Sequence, residues 1–265
     1  MVRAEQHRLR QSFRRARAVY DREARVQDAV AAHLLALLET AQPDFAPRLA
    51  LEAGCGTGLL SSRLLARYGS SLTTFWANDL LAEHEEDLRG RPNPPHTQLH
   101  FLAGDIEQID LPTGLDLVIS SSTLHWAGDL PRLTARLAAC LRADGILALA
   151  LYGPDNLREL RELTGDGLDY PTLGGMRAHL APWGTVLLSR EEHQRLWFRD
   201  PRAVLGHLRH TGANALTRRG WTRDGLARFV QDYQARFGED RGVPLSYHPL
   251  YLLLQRTDVS PGGAP

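Results

Sequence analysis

Lysine is missing from this chain. All 31 basic residues are arginine, and 31 aspartates and glutamates offset them across 265 residues. Without a lysine amine there is no Schiff-base chemistry and no lysine base. The formal net charge of zero removes the electrostatic case for bulk nucleic-acid binding. Cysteine is nearly missing too. Cys55 and Cys140 have neither metal nor redox spacing, and two thiols make no disulfide framework. Such scarcity suits a reducing cytoplasm, the expected location. No apolar run reaches the ~20 residues that a membrane helix needs. The basic stretch from Arg3 to Arg17 lacks the apolar segment of a secretory signal. Neither a membrane nor a nucleic acid is expected as a partner. No G-K-[ST] awaits a triphosphate, and no H-E-x-x-H awaits zinc. His84-Glu85-Glu86-Asp87 has the composition of a metal cluster without its spacing and reads as a solvated helix face, so no metal is expected.

What is present is an ordinary globule, with 43% hydrophobic residues and a mean hydropathy of −0.30. Its most informative stretch is Leu51-Glu52-Ala53-Gly54-Cys55-Gly56-Thr57-Gly58. Glycines at this spacing let the backbone turn tightly and approach a bound nucleoside. Leu60 and Ser61 stand near where a dinucleotide fingerprint would carry its third glycine. The pattern therefore favours a small, largely uncharged cofactor over NAD or ATP.

Short apolar runs alternate with helical patterns on either side. Residues 12–39 predict one helix, with Val26, Val30, Leu34, Leu37 and Leu38 on a single face. Strands are predicted at 48–53, 72–78, 99–103, 115–120 and 146–151, with helices at 59–67, 83–89 and 130–141. This alternation means a parallel sheet with right-handed crossovers. Beyond Leu151, residues 154–184 read as helical and then loop-rich, and they precede a sixth strand at 193–198. Helices at 201–210 and 222–237 follow, and then a closing strand at 246–255. Phe75-Trp76 reads as core strand.

In open α/β sheets the ligand lies beyond the carboxyl ends of the strands. Glu52, Gly54, Cys55, Gly56 and Gly58 end the first strand. Asp79 ends the second, where a carboxylate accepts both ribose hydroxyls. Asp105 ends the third, placed for an adenine amine, with Ile106 beside it to cover the ring. Ser121 ends the fourth.

From about residue 48 to 151 this arrangement resembles the class I S-adenosylmethionine-dependent methyltransferases. The resemblance implies S-adenosyl-L-methionine as cofactor and a Rossmann-like α/β fold. Its seven-stranded sheet is mostly parallel, with the last strand antiparallel, helices on both faces and a helical lid. Residues 1–257 are then a single methyltransferase domain. It comprises an N-terminal helical cap (1–45), a cofactor-binding core (46–153), a substrate lid region with a late sheet strand (154–240) and a closing strand (241–257). Residues 258–265 are a frayed tail.

A narrower resemblance runs along nearly the whole chain. Phe13-Arg14-Arg15-Ala16 with Tyr20-Asp21 and Gln27 is similar to the opening of the malonyl-carrier-protein O-methyltransferases of biotin synthesis. So are Ser121 to Trp126, Tyr152-Gly153-Pro154 leading into Leu157 to Leu160, Leu208 to Asn214, and Pro244 to Tyr247. That family methylates the free carboxylate of a malonyl thioester, on acyl carrier protein or coenzyme A. The resemblance implies roles for Arg209 in gripping the carboxylate, for Tyr20 in closing over the methyl site and for His125 in lining the acceptor site. Arg218, Arg219 and Arg223 beside Trp221 form a basic cluster suited to an acidic carrier. Two departures stand out: many relatives carry arginine at the position of Gly206 and glutamine at that of His125. Two other readings stay open. One is methylation of another small carboxylic acid. The other is a methyltransferase-fold assembly factor, because the His-Trp pair also resembles a mitochondrial complex I factor proposed to hydroxylate an arginine.

Overall fold

The computed structural model describes residues 3–213 and 222–257. The strands are β1 (Leu49–Ala53), β2 (Thr74–Asp79), β3 (Gln98–Ala103), β4 (Leu115–Ser121), β5 (Leu141–Tyr152), β6 (Gly184–Glu191), β7 (Gln194–Phe198), β8 (Val243–Tyr247) and β9 (Pro249–Arg256). The helices are α1 (Arg3–Ala16), α2 (Tyr20–Glu23), α3 (Arg25–Ala41), α4 (Leu59–Tyr68), α5 (His84–Arg89), α6 (Leu130–Ala139), α7 (Arg158–Thr164), α8 (Leu173–Leu180), α9 (Pro201–His210) and α10 (Arg223–Phe237). By backbone packing the chain divides into two compact units. The first takes Arg25–Leu151, Thr172–Arg190 and the chain from Leu250; the second takes the chain up to Ala24, Tyr152–Pro171 and Glu191–Pro249. No helix of the described residues is long and apolar enough to cross a membrane.

The first unit is built on a seven-stranded sheet of order β3-β2-β1-β4-β5-β9-β6. β1 pairs in parallel with both β2 and β4, which makes the β1/β4 boundary the point where strand order reverses. Central parallel strands are covered on both faces and so read as nearly unbroken apolar runs. Leu115, Leu117, Val118 and Ile119 of β4 are all fully buried. Leu133 and Leu137 of α6, Met176 and Leu180 of α8, and Leu250, Leu252 and Leu254 of β9 join Leu51 and Val118 in one core. The start of α6 is defined locally: Asp129 accepts the N–H of Arg132, and proline stands in the first turn.

In the second unit β7 and β8 form a separate antiparallel pair. The carboxylate of Glu159, fully buried on α7, accepts the Ser246 N–H at 2.9 Å and its hydroxyl at 2.6 Å. The Tyr233 hydroxyl donates to Pro244 O at 2.7 Å, and Ser12 Oγ donates to Gly212 O at 2.9 Å. These bonds fasten α10 to β8, and α1 to the chain just after α9.

Three expectations are corrected. The single helix at 12–39 is α1, a 3-10 turn, α2 and α3, because Ala24 departs from helical ψ (40°) where the chain passes from the second unit to the first. The expected apolar face is retained and buried on α3. The late place in the large sheet belongs to β6 and not to residues 193–198, which pair with β8 instead. The closing strand is two strands that meet at His248, followed by Pro249. Sequence periodicity marks an extended segment without naming the sheet it joins.

Candidate active site at the strand tips

The glycine loop leaves β1 with three positive φ angles: Gly54 at 76°, Gly56 at 52° and Gly58 at 90°. Gly54 and Cys55 donate their N–H groups to Asn78 O at 2.9 and 2.8 Å. A Cβ on Gly54 would stand 2.6 Å from Thr123 Cβ and overlap the rest of that side chain, whereas nothing lies within 4 Å of a Cβ on Gly56. Gly54 is thus a packing glycine, while Gly56 faces open space where a ligand can approach the backbone. Arg91 braces the loop from outside, its Nε and Nη2 donating to Thr57 O at 3.1 and 2.8 Å.

Two carboxylates underlie the loop. Glu52 is only 1% exposed and accepts the Ser61 hydroxyl at 2.5 Å. Burial pushes its pKa up to about 8, the Ser61 bond pulls it down, and nearby Asp79 adds to the rise. Asp79 is raised as well, by burial, against the opposing effects of His84 and of the Leu81 and Gly56 N–H groups. Its Oδ2 accepts Gly56 N–H and its Oδ1 accepts Leu81 N–H, both at 2.9 Å. The Leu80 N–H bonds to this carboxylate as well, so three backbone N–H groups hold it at the foot of the glycine loop. His84 corrects the expected solvated face. It is buried, with Nδ1 3.0 Å from Asp87 Oδ2 and Nε2 3.9 Å from Asp79 Oδ1.

The tips of β3 and β4 stand beside this loop. Asn78 Nδ2 donates to Leu102 O and Gly104 O at 2.8 and 3.0 Å, tying the end of β2 to that of β3. Asp105 Oδ1 accepts Glu107 N–H at 3.0 Å. Ile106 packs on the core, and its carbonyl accepts from Arg136 Nη1 at 2.8 Å. Ser120 Oγ donates to Ala53 O at 2.7 Å, and Thr123 Oγ1 to Gly54 O at 3.1 Å. Ser121 Oγ is buried and has no hydrogen-bond partner among the described residues. An orphaned hydroxyl at the tip of β4 and the opening at Gly56 together fit a polar nucleoside ligand.

His125 belongs to the same unit, in a 3-10 turn after β4. Part of the residue reaches solvent, yet burial of the ring drives its pKa down to about 3. Tyr20 opens α2 and Arg209 lies in the last turn of α9, both in the second unit. Arg209 is exposed and has no ion-pair partner among the described residues. Arg218, Arg219 and Trp221 of the basic cluster, and the tail from 258, lie outside the described residues; Arg223 begins α10.

Sequence reasoning passed over Asn78, Arg91, Thr123 and Ser61. A polar residue inside an apolar strand was the available signal for Asn78. Arg91 and Thr123 carry no local signal, because Thr57 is 34 residues from the first and Gly54 is 69 from the second.

Residues 51–149 match the family described as a methyltransferase domain. Over 261 residues the chain is 33% identical to the malonyl-[acyl-carrier protein] O-methyltransferase of Prosthecochloris aestuarii, covering 96% of this chain and 95% of that protein. Its identity to the Acinetobacter baylyi protein of the same name is 34%, covering 94% and 96%. The chain belongs to the malonyl-[acyl-carrier protein] O-methyltransferase family. Membership in that family agrees with the resemblance carried by the motifs from Phe13 to Tyr247. The architecture of this methyltransferase is the class I S-adenosylmethionine-dependent fold. The YcgJ protein of Bacillus subtilis superimposes with a TM-score of 0.59 at 14% identity, covering 86% of this chain and 99% of that one.

Proposed function

We propose that this chain transfers a methyl group from S-adenosylmethionine to the free carboxylate of a malonyl thioester on acyl carrier protein, as a step of biotin synthesis. The observation that carries the reading is the glycine loop: Gly56 faces open space, Asp79 is held under it by backbone N–H groups, and the Ser121 hydroxyl is unspent. When bound, S-adenosylmethionine supplies an electrophilic methyl on a cationic sulfur. Asp79 would take the ribose hydroxyls, Asp105 the adenine amine and Ile106 a ring face. Glu52, Gly54, Cys55 and Gly58 would shape the loop, with Ser121 giving a hydrogen bond from β4.

The acceptor needs no general base. A carboxylic acid with a pKa near ~4 is already ionised at neutral pH. His125, held neutral by burial, would line the acceptor site as a hydrogen-bonding wall. Arg209 would hold the substrate carboxylate by a charge-assisted pair, and Tyr20 would cover the reacting methyl. Fixing the two reactants in line contributes up to roughly 7–11 kcal/mol of barrier lowering. Arg223, with Arg218 and Arg219, would dock the acidic carrier.

Radiolabelled methyl transfer to malonyl-acyl carrier protein, malonyl coenzyme A and a panel of small carboxylic acids tests this. The expected result is preferential labelling of malonyl-acyl carrier protein. Preference for a free acid would redirect the reading, and cofactor binding with no transfer to any acceptor would end it. In the same assay Arg209→Ala is expected to raise KM for the malonyl thioester.

A further inference from the structure

Charge is unevenly spread along a chain whose total is zero. Eight of the 31 arginines lie in the first 25 residues, against three acids, so beyond that point acids outnumber arginines. Folding turns this bias into a face. On α1, Leu9, Ser12 and Ala16 are buried, and Arg8 and Arg15 are exposed. Seven residues make close to two helical turns, so the two arginines share one stripe, about 10.5 Å apart. α9, which packs against α1, repeats the arrangement. Its Val204 and Leu208 are buried, while Arg202 and Arg209, again seven apart, are exposed. Ser12 bonds to Gly212 O, and Phe13 lies against Gly212, which ties α1 to the end of α9.

None of these four arginines has an ion-pair partner among the described residues. Surface arginines of the other unit differ. Arg63 pairs with Asp28 at 2.7 Å, Arg67 with Glu39 at 2.7 Å and Arg89 with Glu85 at 2.8 Å. Paired surface charges offset one another, whereas rows of unpaired ones project a positive field that attracts an acidic partner.

Resting on the acceptor reading above, we infer that the acidic carrier docks on α1 and α9 as well as at Arg223, a helix of carboxylates two turns apart matching the arginine rows. Arg8, Arg15 and Arg202 hold the carrier. Arg209 ends the second row, so a carrier seated there delivers its malonyl group beside the arginine assigned to the carboxylate. A membrane fits this face less well, because the apolar side of α1 is turned inward. A long polyanion such as nucleic acid fits less well too, because it would overrun the face onto a remainder that carries more acids than arginines.

Binding of malonyl-free acyl carrier protein to the full chain, measured by calorimetry, tests the surface without calling on catalysis. The Arg8→Ala/Arg15→Ala double variant should bind about five- to tenfold more weakly, and Arg8→Lys/Arg15→Lys should recover most of that loss. Raising salt from about 50 to about 300 mM should weaken the unaltered chain more than the alanine double variant. Arg63→Ala/Arg67→Ala, which removes two paired arginines, should change affinity less than about twofold. Turnover of the N-acetylcysteamine thioester of malonate, which has no carrier, should be unchanged in Arg8→Ala/Arg15→Ala. Unchanged carrier affinity in that variant, an equal loss in the Arg63/Arg67 control, or loss of turnover with the small thioester overturns the inference. So does tighter, Arg8- and Arg15-dependent binding of a short DNA duplex at the same salt. Failure to methylate any thioester would end the acceptor reading instead, while the carrier titration still decides the docking face.

Discussion

Replacing Gly54 or Gly56 with alanine adds the same methyl group to the same loop, two residues apart, with different expected results. At Gly54 the φ of 76° puts alanine in the left-handed region, and the new carbon meets Thr123 Cβ at 2.6 Å. The conformational part costs roughly 1–2 kcal/mol. The overlap adds about 1–3 kcal/mol, because Thr123 is held by its bonds to Gly54 O and Ser121 O, both 3.1 Å. The sum is about 2–5 kcal/mol of lost stability. At Gly56 the φ is 52° with nothing within 4 Å, so the loss is the conformational part alone. Its methyl group, however, stands where the cofactor approaches. Urea unfolding at pH 7 should rank Gly54→Ala well below Gly56→Ala in stability. Calorimetry with S-adenosylhomocysteine should find that Gly56→Ala, though folded, has lost most of its affinity. A double-mutant cycle with Thr123→Gly isolates the overlap and should recover about 1–3 kcal/mol in the Gly54→Ala background. Equal stabilities for the two alanine variants, or no recovery in the cycle, would refute the packing argument. Full affinity in Gly56→Ala would refute the assignment of the opening.

Three further outcomes are expected. Because the folded His125 pKa of about 3 lies below the unfolded 6.5, the unfolded chain binds more protons between those values, and stability falls as pH drops through 6.5; at pH 5 the loss is about 2 kcal/mol at most, and urea unfolding of His125→Gln at pH 7 and pH 5 should show it removed. Arg91→Ala removes both guanidinium bonds to Thr57 O and should cost about 1.5–3 kcal/mol, with a several-fold weaker affinity for S-adenosylhomocysteine by calorimetry. Gly206→Ala lies inside α9, where a Cβ meets nothing within 4 Å, and should stabilise the protein by roughly 1 kcal/mol, read as a higher urea midpoint at unchanged m.

Much of the core was legible because its signals are local. A strand covered on both faces must be an apolar run, and a loop with three positive φ angles is most readily built from glycine. β1 to β5 and the helices between them therefore fall close to where the periodicity places them. The same logic misplaced the later strands: Gly184 and its neighbours read as loop yet form β6, while residues 193–198 carry a good strand pattern and pair with β8. His84 was misread for a related reason. Its neighbours Glu85 and Glu86 are polar, but burial of one helical position depends on what packs over it.

By itself the sequence determined that a lysine-free chain with no excess charge builds an alternating α/β core and lines the ends of its strands with Glu52, the glycines, Asp79, Asp105 and Ser121. Those features follow from backbone conformation and short-range periodicity. Tertiary structure alone decided the strand order and the braces from Asn78, Arg91 and Thr123. It alone buried Glu52 beside Asp79 without a balancing cation and stripped His125 of water. Strand order and bracing depend on contacts between residues far apart in the chain, and the charge states depend on how much water the surrounding protein excludes.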